Sequence, residues 1–293
     1  MTKLRRRSVG LWFVAPAIVV IAVTTIYPVI WTVQLSFTGG SVLGGTRFVG
    51  LDNFVEAFNS PVVHRSLVST LYYVLGTTAL TVPVAFMVAV ALERVGRRLN
   101  RAATWIKAVI FLPVILSTVI AAIVWISVYH PFGGVFQLLP LPFGLDRVNW
   151  YQDEGLVIPG LIIFTLWKRL GLFVVMFLAG MAEVPKDLLE AAEVDGAKAW
   201  QRLRYVVIPL LRPVFLAAIV ISTVFAFQSF AIAYVSTGGG PNGASRILPI
   251  LIYEEGFRSF RQGYGSTLAL LMLVVMGLIS LLQMRALRTR IED

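Results

Sequence analysis

The segment Ala182–Pro213, AEVPKDLLEAAEVDGAKAWQRLRYVVIPLLRP, decides how the rest of the chain reads. It is the longest well-charged interruption of a very apolar sequence, and it carries its own helical punctuation. Pro185 suits a first helical turn, where its missing N–H would be unpaired anyway. Asp187 and Glu190 sit near that positive helix end, and Leu188, Leu189 and Ala192 share one face. Gly196 supplies a turn position that tolerates positive φ. Asp195 is placed to cap a second helix, whose apolar face is Ala199, Trp200, Leu203 and Val207. The spacing therefore predicts a short helical hairpin. Its first half carries Glu183, Asp187, Glu190, Glu193 and Asp195 against Lys186, and its second half Lys198, Arg202 and Arg204. Glu190 or Glu193 can then pair with Arg202 across the turn, for about 0–1 kcal/mol if exposed. Isolated helices below about 12–15 residues are marginal, so their apolar faces must rest on something else. A membrane surface and a docking partner meet that requirement equally well.

Composition excludes a soluble domain. Of the 293 residues, 58% are hydrophobic and 14% charged, with mean hydropathy +0.83; soluble domains carry about 25% charged residues. Cysteine is absent, which removes disulfides, thiol nucleophiles and thiolate metal sites. His64 and His130 are too few and too separated for a metal cluster. The net charge of +10 does not imply nucleic acid, because in an apolar chain the placement of basic residues matters more than their number.

Working outward from the hairpin, six stretches have the roughly 20 apolar residues that a spanning helix needs. They fall at about 9–37, 66–92, 103–129, 156–181, 208–235 and 263–284. The sequence thus predicts an all-α polytopic membrane protein, one domain over 1–293, with the hairpin at 183–207 between the fourth and fifth spans. The first apolar run is too long for a signal peptide and is read as a retained span. Pro16, Pro28, Pro83 and Pro113 are positioned to kink their helices, and Asn53–Phe58 is expected as a short helix at the membrane surface. Basic residues choose the orientation. Met1–Ser8, Arg94–Lys107, Lys186–Arg212 and the tail at Arg285, Arg288 and Arg290 hold 17 of the 25 Lys and Arg, against six in the alternate loops. Both termini and the hairpin are therefore expected on the cytoplasmic side.

Glu190-Ala191-Ala192, Gly196 three residues after Glu193-Val194-Asp195 begins, and the ending Val206-x-Ile208-Pro209 resemble the EAA loop of permease subunits in binding-protein-dependent ABC importers. Val206 and Ile208 stand where that pattern has Ile and Leu. The likeness extends through Pro28, Ser36-Phe37, FVGLDNF at Phe48–Phe54, FLP at Phe111–Pro113, Trp125, TGGGP at Thr237–Pro241, and Gly263-Tyr264-Gly265. It is similar to the subunit type of maltose (the MalF kind), lactose and glycerol-3-phosphate importers. The departure is Ala231 after Phe230, where many relatives have Asp. The resemblance implies a permease of a prokaryotic inner membrane that carries a sugar or polyol. It implies partners too: a MalG-like second permease, a dimer of ATPase subunits that bind ATP and Mg, an extracellular binding protein, and membrane lipid. No cofactor is expected in this chain, nor any catalytic or metal residue. ATPase coupling is implied for Glu190, Ala191, Ala192, Asp195, Gly196 and Trp200.

Lys168 and Arg169 lie inside the fourth span, where a charge costs about 2.5–3.5 kcal/mol on insertion scales. Counted back from Pro185 they lie about 25 Å along a helix, in the outer half of the bilayer, and point about 100° apart. One of them is a candidate for the substrate path; pairing inside the bundle, or snorkelling to the outer headgroups, is the alternative. Phe227, Gln228, Phe230 and Tyr234 are further path candidates, since a sugar needs aromatic surface and a few fixed polar groups; ordinary interhelical packing is the alternative. Gly238–Gly240 has no Gly-Lys-Ser/Thr end and no preceding strand, so it is not a phosphate loop. The competing functional class is a self-sufficient secondary transporter or channel for a polar or anionic solute, for which inverted repeats would be the sign.

Overall fold

The computed structural model describes residues 14–41, 45–98, 100–135 and 148–287. The basic segment Met1–Ser8, the residues Pro140, Pro142 and Arg147, the tail residues Arg288 and Arg290, and the side chains of Arg97, Arg98 and Arg101 lie outside the described residues. Four helices are long and apolar enough to cross a membrane, and six spans result when each of two bent pairs is counted as one. The chain forms two compact units, one comprising 1–63 and 251–274, the other 64–250 and 275–293.

In the first unit, α1 (Val14–Ser36) contains a π turn at Ala22–Ile26 just ahead of Pro28. A proline cannot donate to the helix ladder, and a widened turn is one way to absorb that loss. The Gly-rich segment after α1 is an antiparallel ribbon, β1 (Thr38–Ser41) with β2 (Gly45–Phe48). Gly40 and Gly45 both take positive φ, which lets the ribbon turn. Helix α2 (Asp52–Asn59) follows. Its Asn53 is buried and donates from Nδ2 to the carbonyls of Ser36 (2.8 Å) and Thr38 (2.9 Å). The asparagine of the FVGLDNF motif thus satisfies the last carbonyl of α1 and the first of β1. A small core of Ala57, Val63, Leu251, Tyr264 and Leu268 packs beside it. Arg261 bonds both carboxylate oxygens of Glu56 at 2.6 Å, and this pairing holds its guanidinium above the ordinary arginine range.

In the second unit, α3 (Pro61–Arg98), α6 (Val157–Ala182) and α9 (Arg212–Phe227) supply the main core. Phe86, Phe177 and Phe215 meet with ring centroids 4.8–5.4 Å apart. Two glycines of α6 set how closely its neighbours approach. A Cβ on Gly171 would lie 2.6 Å from the Ile110 carbonyl oxygen, and one on Gly180 would meet Val214 and Leu211 at 2.7 and 2.8 Å.

The third expected span is not a continuous helix. It divides into α4 (Asn100–Ile115) and α5 (Thr118–Val128), bent by 104°. The fifth also breaks: α8 (Ala199–Leu210) turns by 68° into α9, and α9 ends at Phe227 before α10 (Phe230–Thr237). Pro113, lying one turn before the first break, removes a ladder hydrogen bond there. Pro213, at the start of α9, is preorganised for a new helix rather than for continuing the old one. The remaining elements are α7 (Lys186–Val194), α11 (Leu248–Tyr253) and α12 (Gln262–Leu287).

Candidate functional site

The hairpin predicted at Ala182–Pro213 is present as α7 and α8. Its turn is fixed by three backbone facts. The Ala197 N–H donates to Ala192 O (2.9 Å), the Gly196 N–H donates to Glu193 O (3.0 Å), and Gly196 has φ +77°. Together these make a Schellman turn, in which the residue after the helix end adopts the left-handed conformation and the last carbonyls are satisfied. Gly196 therefore has the conformation its sequence position predicts.

Two capping expectations are corrected. Asp195 closes α7 instead of opening α8, because the left-handed Gly196 and the two residues after it postpone the next helix to Ala199. The Lys198 N–H is satisfied by Gln201 Oε1 at 2.7 Å. Pro185 precedes the helix, with ψ 127°, and α7 begins at Lys186.

Of the two cross-turn ion pairs anticipated, Glu193 with Arg202 is the one formed. Leu203 and Val207 pack on the core of α3 and α6, as the face reading required. Trp200 does not join them and is 61% exposed. Ala199, in the same first turn of α8, is exposed as well, so the predicted face meets the core only from Leu203 onward. Helix α7 has no buried residue at all. Leu188, Val194, Trp200 and Tyr205 are large apolar side chains left uncovered on one short hairpin. A cleft of about 1070 Å³ separates the hairpin from the last turns of α3, with Glu93, Arg94, Glu190, Glu193 and Arg202 among its walls.

The second candidate lies midway along α6. Lys168 is 6% exposed. Its Nζ donates to the carbonyls of Pro113 (2.7 Å), Val114 (3.2 Å) and Leu116 (2.8 Å). An ammonium has three donors, and all three are spent on the break between α4 and α5. The last carbonyls of a helix lack intrahelical partners and carry the negative end of its dipole, so a lysine there supplies both hydrogen bonds and charge. The alternative of pairing inside the bundle thus describes Lys168, although its partners are backbone carbonyls and not an acid.

Arg169 faces elsewhere, as the 100° step along a helix demands. Its guanidinium lies 4.8 Å from the Phe225 ring centroid, and one nitrogen reaches Ser229 Oγ at 3.4 Å. The other terminal nitrogen, Nη1, is buried without a partner among the described residues. A cavity of about 220 Å³ is walled by Thr118, Leu172, Phe225 and Ile232 together with both cations.

The other path candidates do not gather there. Phe227 is fully buried, Gln228 is exposed at the break between α9 and α10, and Phe230 stacks on Tyr234 with centroids 5.0 Å apart. Thr118 and Ser229 were not singled out from sequence, because each becomes notable only once its helix is known to break beside it.

These features have a counterpart among known proteins. Residues 81–293 match the family model described as "Binding-protein-dependent transport system inner membrane component". The chain belongs to that family. It is 29% identical to the probable ABC transporter permease protein YurN of Bacillus subtilis over 96% of each chain. It is 31% identical to the trehalose transport system permease protein SugA of Mycobacterium tuberculosis, over 92% of this chain and 85% of that one. Its fold superposes with a TM-score of 0.84 on a chain of a bacterial ABC transporter involved in import of the acidic polysaccharide alginate, at 22% identity, covering 99% of this chain and 98% of that one. As a permease of this family, the protein is a membrane component and not itself an enzyme. In the permease, the EAA-like residues Glu190, Ala191 and Ala192 stand on α7, the more exposed arm of the hairpin.

Proposed function

We propose that the permease forms one half of the translocation path for a sugar or related polyol and is driven through its α7–α8 hairpin by a separate ATPase. Relatives carry names of the same kind: the trehalose system permease above, and the arabinooligosaccharides transport system permease protein AraP of Bacillus subtilis, 28% identical over 93% of this chain. The observation that carries the reading is the hairpin itself. It has a turn fixed by a positive-φ glycine, an arm with no buried residue, and exposed Val194, Trp200 and Tyr205. A structure so weakly covered by its own chain is suited to being covered by another.

In this reading Glu190, Ala191, Ala192, Asp195, Gly196 and Trp200 meet the ATPase, on the cytoplasmic side together with both termini. A second permease completes the path, and a binding protein delivers solute at the opposite face. Two ATPase subunits hold ATP and Mg. Lys168, Arg169, Phe227, Gln228, Phe230 and Tyr234 are the path candidates; Lys168 and Arg169 both border a cavity, and Arg169 is the better placed because it keeps a donor without a partner among the described residues. Coupling requires both the ATPase and the outer gate to bias one two-state element. The hairpin joins α6 through only Glu183, Val184 and Pro185, so its displacement passes directly to the helix that bears the two cations.

The chain contains no cysteine, which makes the test simple. A Trp200→Cys variant should react with an impermeant maleimide only when the cytoplasmic face is open, and the ATPase should co-purify with the wild-type chain. Gly196→Pro should abolish ATP-driven uptake while the protein remains in the membrane. Labelling of Trp200→Cys from outside intact cells would sink the proposal.

A further inference from the structure

Lys168 and Arg169 are neighbours in sequence and differ in what satisfies them. Lys168 is complete: three donors meet three carbonyls, and its charge lies at the negative end of α4. Arg169 is not. It has five donors, one long contact to Ser229, and a buried Nη1 without a partner among the described residues. The sequences of α4, α5, α6, α9 and α10 contain no aspartate or glutamate, so no side chain of the helices around the cavity can neutralise it. Phe225 covers one face of the guanidinium but provides no hydrogen-bond acceptor. The first turn of α5 begins in the same cavity wall at Thr118, and its N-cap Ser117 makes no side-chain cap. A helix start with unclaimed N–H groups favours negative charge.

We infer that the cavity between Arg169, Thr118 and Phe225 binds an anionic group, a carboxylate or an oxyanion of similar geometry, borne by a sugar-like solute. The guanidinium fork matches a carboxylate through two parallel N–H···O bonds. The apolar walls, Leu172, Phe225 and Ile232, suit the C–H face of a ring. The concavity of about 220 Å³ is the part of the site that this chain supplies. Lys168 is the positioning residue: it holds the α4–α5 break in place so that α5 presents its first turn to the cavity. This inference rests on the reading of Arg169 as a path residue, and it narrows the solute from sugars in general to acidic ones.

The experiment is equilibrium binding to the full-length permease, co-purified with its assembly partners and held in phosphatidylcholine nanodiscs without ATP. Glucuronate and glucose serve as probes, and the tryptophan fluorescence of Trp167 and Trp125 as readout. Glucuronate is expected to bind saturably and at least tenfold more tightly than glucose. Arg169→Gln is expected to lose that preference by tenfold or more, and Arg169→Lys to retain part of it. Equal binding of the two sugars overturns the inference, as does unchanged glucuronate binding by Arg169→Gln. Loss of glucuronate binding when phosphatidylglycerol is added to the discs also overturns it, by assigning the site to a lipid headgroup. If Arg169→Gln does not stay folded, the wild-type ratio alone decides. Because ATP and the hairpin play no part in this measurement, failure of the coupling tests above leaves its outcome intact, and the reverse also holds.

Discussion

The hairpin and the middle of α6 are separated by less than twenty residues, yet their charges live under opposite rules. In α7 and α8 the charged groups stand near water, none of the α7 residues is buried, and the one cross-turn pair formed is Glu193 with Arg202. In α6 two cations sit among apolar side chains with no acid on any of the helices around them. What compensates Lys168 is backbone: the carbonyls exposed where α4 stops. The lesson is that the break in a spanning helix and the buried lysine explain each other. Lipid offers nothing to an unpaired carbonyl, so irregular backbone at membrane depth needs a protein partner, and a buried ammonium needs acceptors. Asn53 repeats the device at the end of α1 with a neutral amide.

The comparison breaks most sharply at Lys168. Lys168→Met removes all three donors while keeping much of the side-chain bulk. Each carbonyl left without a partner costs about 1–3 kcal/mol, offset in part by no longer burying a charge. A net destabilisation of about 2–4 kcal/mol is therefore expected, measured as a shift in unfolding midpoint in a denaturing detergent titration. A change below about 0.5 kcal/mol would mean that the break is held by other contacts. The same variant should raise protease cleavage around Leu116–Ser117, which a purely electrostatic role for Lys168 would not do.

Two glycines carry the comparison to intermediate effects. Gly171 of α6 has the Ile110 carbonyl oxygen within 2.6 Å of where a Cβ would sit, whereas nothing lies within 4 Å of the same position at Gly196. Gly171→Ala should thus force two backbones apart, for about 1–3 kcal/mol as in other overpacked sites. The Cβ of Gly196→Val meets no neighbour, and the substitution is opposed by its φ of +77°, a left-handed conformation costing roughly 1–2 kcal/mol for a residue with a Cβ. Hydrogen exchange separates the two. Gly171→Ala is expected to speed exchange in α4 and α6, and Gly196→Val only at Gly196, Ala197 and the start of α8. Spread of the Gly196→Val effect into α6 would show that the hairpin and the helix unfold together.

How far this could be read in sequence depended on which interactions were local. Hydropathy located the apolar segments, and the Glu193-Val194-Asp195-Gly196 spacing located the hairpin turn, because helix periodicity and a left-handed glycine are properties of adjacent residues. The breaks were not readable in the same way. Pro113 and Pro213 mark positions where a helix can bend, but Pro83 sits in α3 without ending it, so a proline alone does not decide. The carbonyls at the break between α4 and α5 are met by Lys168, more than fifty residues away in the chain. The exposure of Trp200 was hidden for a related reason: a helical face predicts which residues align, and not how far along the helix the neighbouring core extends. Of the side chains proposed for the path, only Lys168 and Arg169 border the same cavity, since aromatic residues close in sequence need not be close in space once α9 and α10 separate at Gln228 and Ser229.

The smallest effect belongs to the hairpin's ion pair. Glu193 has a side chain 69% exposed and Arg202 one 26% exposed. Pairs between exposed side chains give about 0.2–1 kcal/mol in double-mutant cycles, since water already solvates both ions and two long side chains must be ordered. The coupling energy from Glu193→Gln, Arg202→Gln and the double variant should therefore be at most about 0.5–1 kcal/mol. It should shrink as salt rises from low ionic strength toward 1 M, where the screening length falls to about 3 Å. Lys168→Met should show no such salt dependence, because its partners are buried and carry no net charge. If the hairpin cycle were both larger than about 2 kcal/mol and insensitive to salt, Glu193 and Arg202 would be shielded by a bound partner in the purified protein. The two regions would then differ in what covers them, and the rule governing their charges would be the same.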